Sequence, residues 1–181
     1  MLVLVGPSAS GKTQILKLLI QKYGMRKLVT YTTRPMRINE VNGIDYHFIS
    51  NEDFQEKKEK GFFFETIEYN GNCYGTSKSD FSDDKAVILE PNGLNKYIEF
   101  AKEQITVVVL TCQPDILRTR MVFRGDDLES IEKRVIGDKK WFGKDLFDKA
   151  DLVVDTSNSD INKDVDKIHQ FYLETLKKKA R

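Results

Sequence analysis

The sequence predicts an α/β fold: a mostly parallel sheet covered by helices on both faces, carrying a small antiparallel β-rich insertion. Three observations predict it. Residues 2–5, 86–89 and 105–110 are short continuous apolar runs without polar alternation, as strands buried on both faces require. Stretches with helical period separate and follow these runs, and strands alternating with helices indicate a parallel sheet. Residues 31–76 break that alternation, because there the strand signals follow one another without long helices between them.

The elements follow in order. Residues 2–5 form the first strand, which ends at Gly6. From Gly11 onward Ile15, Leu18, Leu19 and Tyr23 fall on one helical face. A β-rich run at 27–33 precedes a polar stretch with Pro35 and Gly43, and 45–49 alternates as a strand. Residues 51–60 form a charged helix capped by Ser50 or Asn51 and stopped by Gly61. Residues 62–74 read as strands joined through Asn70-Gly71, a strong turn signal. Leu94, Tyr97, Ile98 and Ala101 recur with helical spacing. Pro114 takes a favoured first-turn position and opens a helix continued by 116–122. Residues 151–155 hold one more buried strand, and Val165, Ile168, Tyr172 and Leu176 mark one stripe of a last helix. The final KKKAR reads as a solvated, frayed end.

Length and composition exclude several classes. At 181 residues the chain is one domain, long enough to bury roughly 70% of its unfolded surface without staples. Hydrophobic residues are 40% and charged residues 31%, a globular balance. The net charge of +1 gives no general attraction to nucleic acid or to anionic membrane, so anion binding must come from local placement of charge. No apolar run approaches the ~20 residues of a membrane span. The start MLVLVGPSASGK has neither a basic region before its apolar stretch nor a small-residue cleavage pattern, so no secretory signal is expected. Cys73 and Cys112 are too few for a disulfide framework and fit a reducing compartment, the cytoplasm.

Gly6-Pro7-Ser8-Ala9-Ser10-Gly11-Lys12-Thr13 satisfies G-x-x-x-x-G-K-[ST], between an apolar strand and an amphipathic helix. Gly6 and Gly11 allow backbone conformations that turn consecutive N–H groups toward one point, where the following helix also presents its positive end. Lys12 reaches β- and γ-phosphate oxygens, and Thr13 offers a hydroxyl ligand to Mg²⁺. These eight residues therefore predict binding of a nucleoside triphosphate. By itself the loop fits a GTPase, an ATPase, a transporter subunit or a small-molecule kinase. The chain is short for a motor ATPase and lacks an N-K-x-D run for guanine reading by a GTPase.

The acceptor signal lies further on. Residues 30–37 read Thr30-Tyr31-Thr32-Thr33-Arg34-Pro35-Met36-Arg37, followed by Glu40, Gly43 and Tyr46; residues 62–77 read FFFETIEYNGNCYGTS. Arg34 and Arg37, three apart, suit a forked grip on a monophosphate, with Tyr46 and Tyr74 donating phenolic hydrogen bonds. Guanine presents two adjacent donors, N1–H and the N2 amine, to the two oxygens of one carboxylate, whereas adenine has neither. These motifs resemble the guanylate kinase family, which shows T-T-R-x-x-R, then G-x-x-Y-x-F, then an aromatic strand with Glu followed by G-N-x-Y-G-[ST]. The resemblance covers essentially the whole chain. It implies a phosphate-loop NTPase-type core at about 1–30, 82–118 and 136–181, a GMP-binding insertion at about 31–81, and a mobile helical lid at about 119–135.

Carried over residue by residue, the resemblance implies that Glu65 reads guanine and that Thr30 and Thr76 help to hold it. It places Arg34, Arg37, Tyr46 and Tyr74 on the phosphate of GMP. Arg118, Arg120 and Arg124 lie on the helix from Pro114, and Arg134 follows the turn Gly125-Asp126-Asp127; Arg120, Arg124 and Arg134 match the lid arginines that act with Lys12 and Arg34 on the transferring group. The implied reaction is in-line transfer from ATP to GMP, with dGMP as a further acceptor and Mg²⁺ as cofactor, and no partner beyond small nucleotides in a monomer or homodimer. His47 and His169 read as an ordinary strand residue and a helix-surface residue.

Some positions depart from the family pattern. Ala9 stands where Gly is common, at a variable position of the loop. Leu89-Glu90-Pro91-Asn92-Gly93 stands where D-x-D is usual, so Glu90 keeps a carboxylate toward GMP while Asn92 loses one. Cys73 replaces a tyrosine, and Ile38-Asn39 replaces Pro-Gly. Two other readings stay open: a non-catalytic interaction module, whose phosphate loop would be degraded, and a kinase for another acceptor, which would lack the motifs at 32–37 and 71–76.

Overall fold

The computed structural model describes residues 1–38, 40–69 and 71–180, and for residues 69 and 139–141 the backbone alone. Its main sheet has five parallel strands: β1 (Leu2–Val5), β2 (Arg26–Lys27), β7 (Lys85–Ile88), β8 (Thr106–Thr111) and β9 (Leu152–Asp155), in the order β2-β7-β1-β8-β9. β1 is central, so its side chains serve both faces. Leu2 and Leu4 point to α1 (Lys12–Tyr23) and α7 (Ile161–Lys179), where Ile15, Leu19, Val165, Ile168 and Tyr172 are buried. Val3 and Val5 point to the opposite face, packed with Leu94 and Tyr97 of α3 (Pro91–Ala101) and Leu146 of α6 (Lys144–Phe147). The unbroken apolar run at the start of the chain thus reports its place in the middle of the sheet.

A second sheet has the order β4-β3-β6-β5, from β3 (Tyr31–Thr32), β4 (His47–Phe48), β5 (Phe63–Tyr69) and β6 (Asn72–Ser77). The insertion is therefore not wholly antiparallel. β3–β6 and β5–β6 are, but β3 and β4 run parallel, because the polar stretch between them returns the chain to the same end of the sheet. A bulge between Phe63 and Glu65 re-aims successive aromatic rings. Phe63 stacks on Phe54 of α2 (Asn51–Glu59) at 4.6 Å, and Phe64 packs on Tyr97 of α3, also at 4.6 Å. Two aromatic contacts on opposite sides thus fasten this sheet to a helix of its own and to the main core.

Several sequence expectations need correction. The run at 27–33 is not one strand: Lys27 closes β2 in the main sheet, whereas Tyr31 opens β3 in the second. The strand at 151–155 is not buried on both faces, because β9 is an edge strand in which Val154 is buried and Val153 is 42% exposed. His169 is half-buried and stacks on Tyr23 at 3.6 Å, so it is less superficial than its helix position suggests. Arg124 sits one residue beyond α4 (Pro114–Phe123), as its C-cap. Of the two cap candidates, Ser50 caps α2, its Oγ accepting from the Asp53 N–H at 3.0 Å. Gly71 has φ +71°, as a turn demands, while Asn70, Asn39 and Arg181 lie outside the described residues. Both cysteines are free and half-buried, and among the described residues no helix is long and apolar enough to cross a membrane.

Candidate active site

The loop at 6–11 leaves the C-terminal end of the central strand, the usual position for a ligand crevice in a parallel α/β sheet. Its two motif glycines serve different ends. Gly11 has φ +98° and caps α1 in the left-handed region. Gly6 has no positive φ; a Cβ there would lie 2.9 Å from the Leu110 carbonyl oxygen of β8 and 2.7 Å from Ser10 Oγ, so the requirement is for close approach. Ala9 has φ +62° and is, among the described residues, the one non-glycine with positive φ. That conformation costs an L-residue roughly 1–2 kcal/mol, so the position is more constrained than the loop pattern indicates.

Residues Ser8 to Thr13, with Gln14, line a cavity of about 410 Å³ that Arg120, Arg124 and Arg134 complete. The structure thus brings the three sequence-predicted lid arginines to the loop. Leu117, Met121, Ile131 and Val135 form the small core that holds α4 against α5 (Leu128–Trp141), and Ala9 packs on its edge. Arg120 is tied down: its guanidinium donates to Thr156 O at 2.6 Å and to Ala9 O at 3.3 Å. Thr156 in turn donates from Oγ1 to Ser10 O at 2.9 Å. Arg124 and Arg134 converge on one carboxylate, Asp126, with Arg134 Nη1 at 3.0 Å from Oδ2.

Within the loop the Lys12 ammonium donates to Gly6 O at 2.6 Å and Pro7 O at 2.8 Å. Burial pulls its pKa below the ordinary lysine value; the charges of Glu90 and Asp138 push it back up, and Arg124 pulls it down again. The Ser8 N–H donates to Asp138 Oδ2 of α5 at 2.8 Å. Thr13 is exposed on the cavity wall.

The second sheet gathers a separate set. Glu65 on β5 stands opposite Thr76 on β6, and Thr76 Oγ1 donates to Glu65 Oε1 at 3.4 Å. Tyr97 of α3 donates to Thr76 Oγ1 at 3.2 Å. Glu65 Oε2 is buried without a hydrogen-bond partner, and burial raises the carboxyl above its ordinary pKa, with Lys96 and then Thr76 pulling it back. Nearby, Arg34 lies 5.5 Å above the Tyr46 ring, and the Tyr46 and Tyr74 rings are 6.1 Å apart. Glu40 accepts from Arg34 Nη2 at 2.7 Å and from the Arg37 N–H at 2.7 Å, so one carboxylate ties the Arg34 side chain to the backbone of Arg37.

Three predicted residues are not drawn into these clusters. Arg37 is exposed, Thr30 is half-buried and contributes its carbonyl to the His47 N–H at 2.8 Å, and Glu90 is exposed at the N-cap of α3. Glu40, Lys96, Asp126, Asp138 and Thr156 are the participants that motif reading missed. Glu40 and Asp126 were within reach of it, since both lie inside quoted stretches beside the arginines they pair with; the others depend on tertiary contacts between distant segments.

The guanylate kinase family model matches residues 1–175. The chain is 38% identical over 142 residues to a guanylate kinase of Clostridioides difficile, covering 74% of this chain and 69% of that one. It is 40% identical over 144 residues to a guanylate kinase of Wolinella succinogenes, covering 75% and 67%. A crystal structure of guanylate kinase from Anaplasma phagocytophilum superposes with a TM-score of 0.65 over 96% of this chain and 84% of that one, at 24% identity, and so shares the fold. With the phosphate loop, the second sheet and the arginine-bearing helices all present in the order the family model spans, the chain belongs to the guanylate kinase family.

Proposed function

We propose that the protein transfers the γ-phosphoryl group of ATP to a phosphate oxygen of GMP or dGMP. The observation that carries this reading is Glu65, a buried carboxylate with one oxygen lacking a hydrogen-bond partner, set opposite Thr76 in a sheet that also holds Arg34, Tyr46 and Tyr74. Such a group suits a ligand offering two adjacent N–H donors. A base without them would leave the carboxylate unmet, at about 1–3 kcal/mol or more for a charged group. The recognised edge belongs to the base, so GMP and dGMP satisfy it equally.

In this reading residues 6–13 hold the triphosphate, and Lys12 exchanges its carbonyl partners for phosphate oxygens. Residues 31–81 form the acceptor-binding insertion, where Arg34 and Arg37 grip the monophosphate with Tyr46 and Tyr74. Thr30 and Thr76 steady the base, and Glu90 faces the acceptor from the N-cap of α3. Residues 119–135 act as the lid, bringing Arg120, Arg124 and Arg134 over the transferring group. The acceptor phosphate is already anionic near neutral pH, so it needs no strong general base. Positioning and charge stabilisation supply the rate, and closure excludes water that would otherwise consume ATP.

The donor set fits Mg²⁺. Thr13 presents a hydroxyl oxygen at the cavity wall, and among the described residues no group of three His, Cys, Asp or Glu could cage a metal. A cation shared between Thr13, water and the triphosphate is what such a site accommodates. When bound, Mg²⁺ supplies neutralisation of phosphate charge. The free thiols of Cys73 and Cys112 support a cytoplasmic location.

The test is a coupled ADP-release assay with GMP, dGMP, AMP, CMP and UMP as acceptors, with and without Mg²⁺. The expected result is Mg²⁺-dependent turnover with the two guanine nucleotides far above the others. Absence of GMP-dependent turnover overturns the reading, and a preference for AMP overturns the role of Glu65.

A further inference from the structure

Glu65 poses a physical problem. A carboxylate that is to read two N–H donors must be ionised when the ligand arrives, yet it sits in a pocket that disfavours charge. Its side chain is 12% exposed, and Oε2 is both buried and without a hydrogen-bond partner. Thr76, at 3.4 Å from Oε1, is a long and weak donor whose hydroxyl also accepts from Tyr97. These neutral groups fix the carboxylate in place without compensating its charge.

Among the described residues one cation is placed to do so. Lys96, at the middle of α3 and one residue before the buried Tyr97, brings Nζ to 3.8 Å from Glu65 Oε2. The distance is informative. It is close enough for a strong charge interaction in a partly buried setting, but outside hydrogen-bonding range. Lys96 therefore lowers the energy of the ionised carboxylate without taking the acceptor positions that a ligand must use. Arg34 offers a contrast, since it is hydrogen-bonded to its own carboxylate, Glu40, at 2.7 Å.

We propose that Lys96 is a positioning residue for base recognition: from α3 it holds Glu65 ionised and oriented while leaving Oε2, the oxygen without a hydrogen-bond partner, open to the N–H donors of a guanine. The inference rests on the base-reading role of Glu65 stated above. Removal of the lysine strands a buried charge, which answers by taking a proton. A protonated Glu65 donates from one oxygen and so opposes one of the two guanine N–H groups. The titratable groups facing Glu65 are Lys96 and Tyr97, both from α3, with Asp80 bearing on Tyr97 and itself paired to Lys85 at 2.9 Å. Burial, reinforced by the charges of Glu65 and Asp80 and only partly offset by the Thr76 hydrogen bond, raises the Tyr97 phenol far above its ordinary value and keeps it neutral, which leaves Lys96, among the described residues, as the charge that sets Glu65.

The experiment compares wild type with Lys96→Met, Lys96→Gln and Lys96→Arg. The Glu65 carboxyl is titrated by carbon-13 NMR of the free protein, and KM for GMP and for ATP is measured between pH 5.5 and 9. Lys96→Met and Lys96→Gln are expected to raise the Glu65 pKa by about one unit. They should raise KM for GMP up to roughly tenfold at the acid end, with the difference fading at high pH and KM for ATP unchanged. Lys96→Arg restores both properties, which a purely structural role for the side chain does not predict. An unmoved Glu65 pKa overturns the inference while leaving the base-reading role of Glu65 intact. A raised pKa with an unchanged GMP profile at every pH overturns that base-reading role, and the inference with it.

Discussion

The phosphate-loop side and the second-sheet side of the molecule treat charge in opposite ways. On the loop side the groups fit for an anion are already engaged internally. Lys12 donates to two loop carbonyls, the Ser8 N–H to Asp138, and Arg124 and Arg134 to Asp126. On the sheet side the anion Glu65 is buried with an oxygen left over. The difference fits what each side would receive in the proposed reaction. A triphosphate brings several negative charges and can displace weak internal partners one by one. A neutral base brings only two N–H donors, and a carboxylate already hydrogen-bonded at both oxygens would gain nothing from them.

Lys12→Ala tests the loop side with the largest expected effect. Turnover should fall about 10²–10³-fold, the scale of losing one electrostatic stabiliser of the transition state. The melting temperature should stay close to wild type, since the lysine bonds only to loop carbonyls. Glu65→Gln tests the sheet side. An amide offers only one acceptor, so KM for GMP should rise roughly 10–100-fold while KM for ATP stays put. Equal losses for both nucleotides would erase the distinction drawn between the two regions.

Asp138→Asn sharpens the idea of displaceable partners. With the competing carboxylate neutralised, KM for ATP should fall about threefold, in line with a partly exposed charge interaction. An increase instead would make Asp138 a required part of the loop. The pH dependence of stability isolates the buried anion. Burial holds the Glu65 carboxyl above its ordinary value, so the folded protein binds that proton more tightly than the unfolded chain does. This contribution is fully present below the unfolded value of about 4.3 and is lost as pH rises through the folded value. Measured by calorimetry, the melting temperature of wild type minus that of Glu65→Gln should therefore decline from pH 4 toward pH 8. The smallest effect is expected at Ala9. Ala9→Gly removes a left-handed alanine and should stabilise the protein by about 1 kcal/mol in denaturant titration.

The same contrast explains what could be read before the fold was known. The loop's place between β1 and α1 was legible, because the spacing of Gly6, Gly11, Lys12 and Thr13 marks it, while the left-handed backbone of Ala9 was not. β1 was legible residue for residue, since a central parallel strand is apolar on both faces. The hairpin that sets Glu65 opposite Thr76 was legible through its Asn70-Gly71 turn signal, though the register that pairs the two was not. Edge strands were harder. β9 looked buried because LVV is apolar, yet nothing in three residues says that only one neighbour follows. The run at 27–33 gave no sign that it passes from one sheet to another. Asp138, Thr156 and Lys96 were not legible, because each acts on a residue brought near by packing: Thr156 reaches Arg120 across 36 positions and Asp138 reaches Ser8 across 130.

The central claim is that one cleft seats two nucleotides end to end, the triphosphate on the loop and the guanine on Glu65. Calorimetric titration with a single compound joining adenosine to guanosine through a chain of five phosphates tests it directly. The account predicts one molecule bound per chain, tighter than ATP or GMP alone, displaced by either nucleotide and weakened by both Lys12→Ala and Glu65→Gln. Binding of two molecules per chain, or binding that ATP displaces and GMP does not, would contradict it.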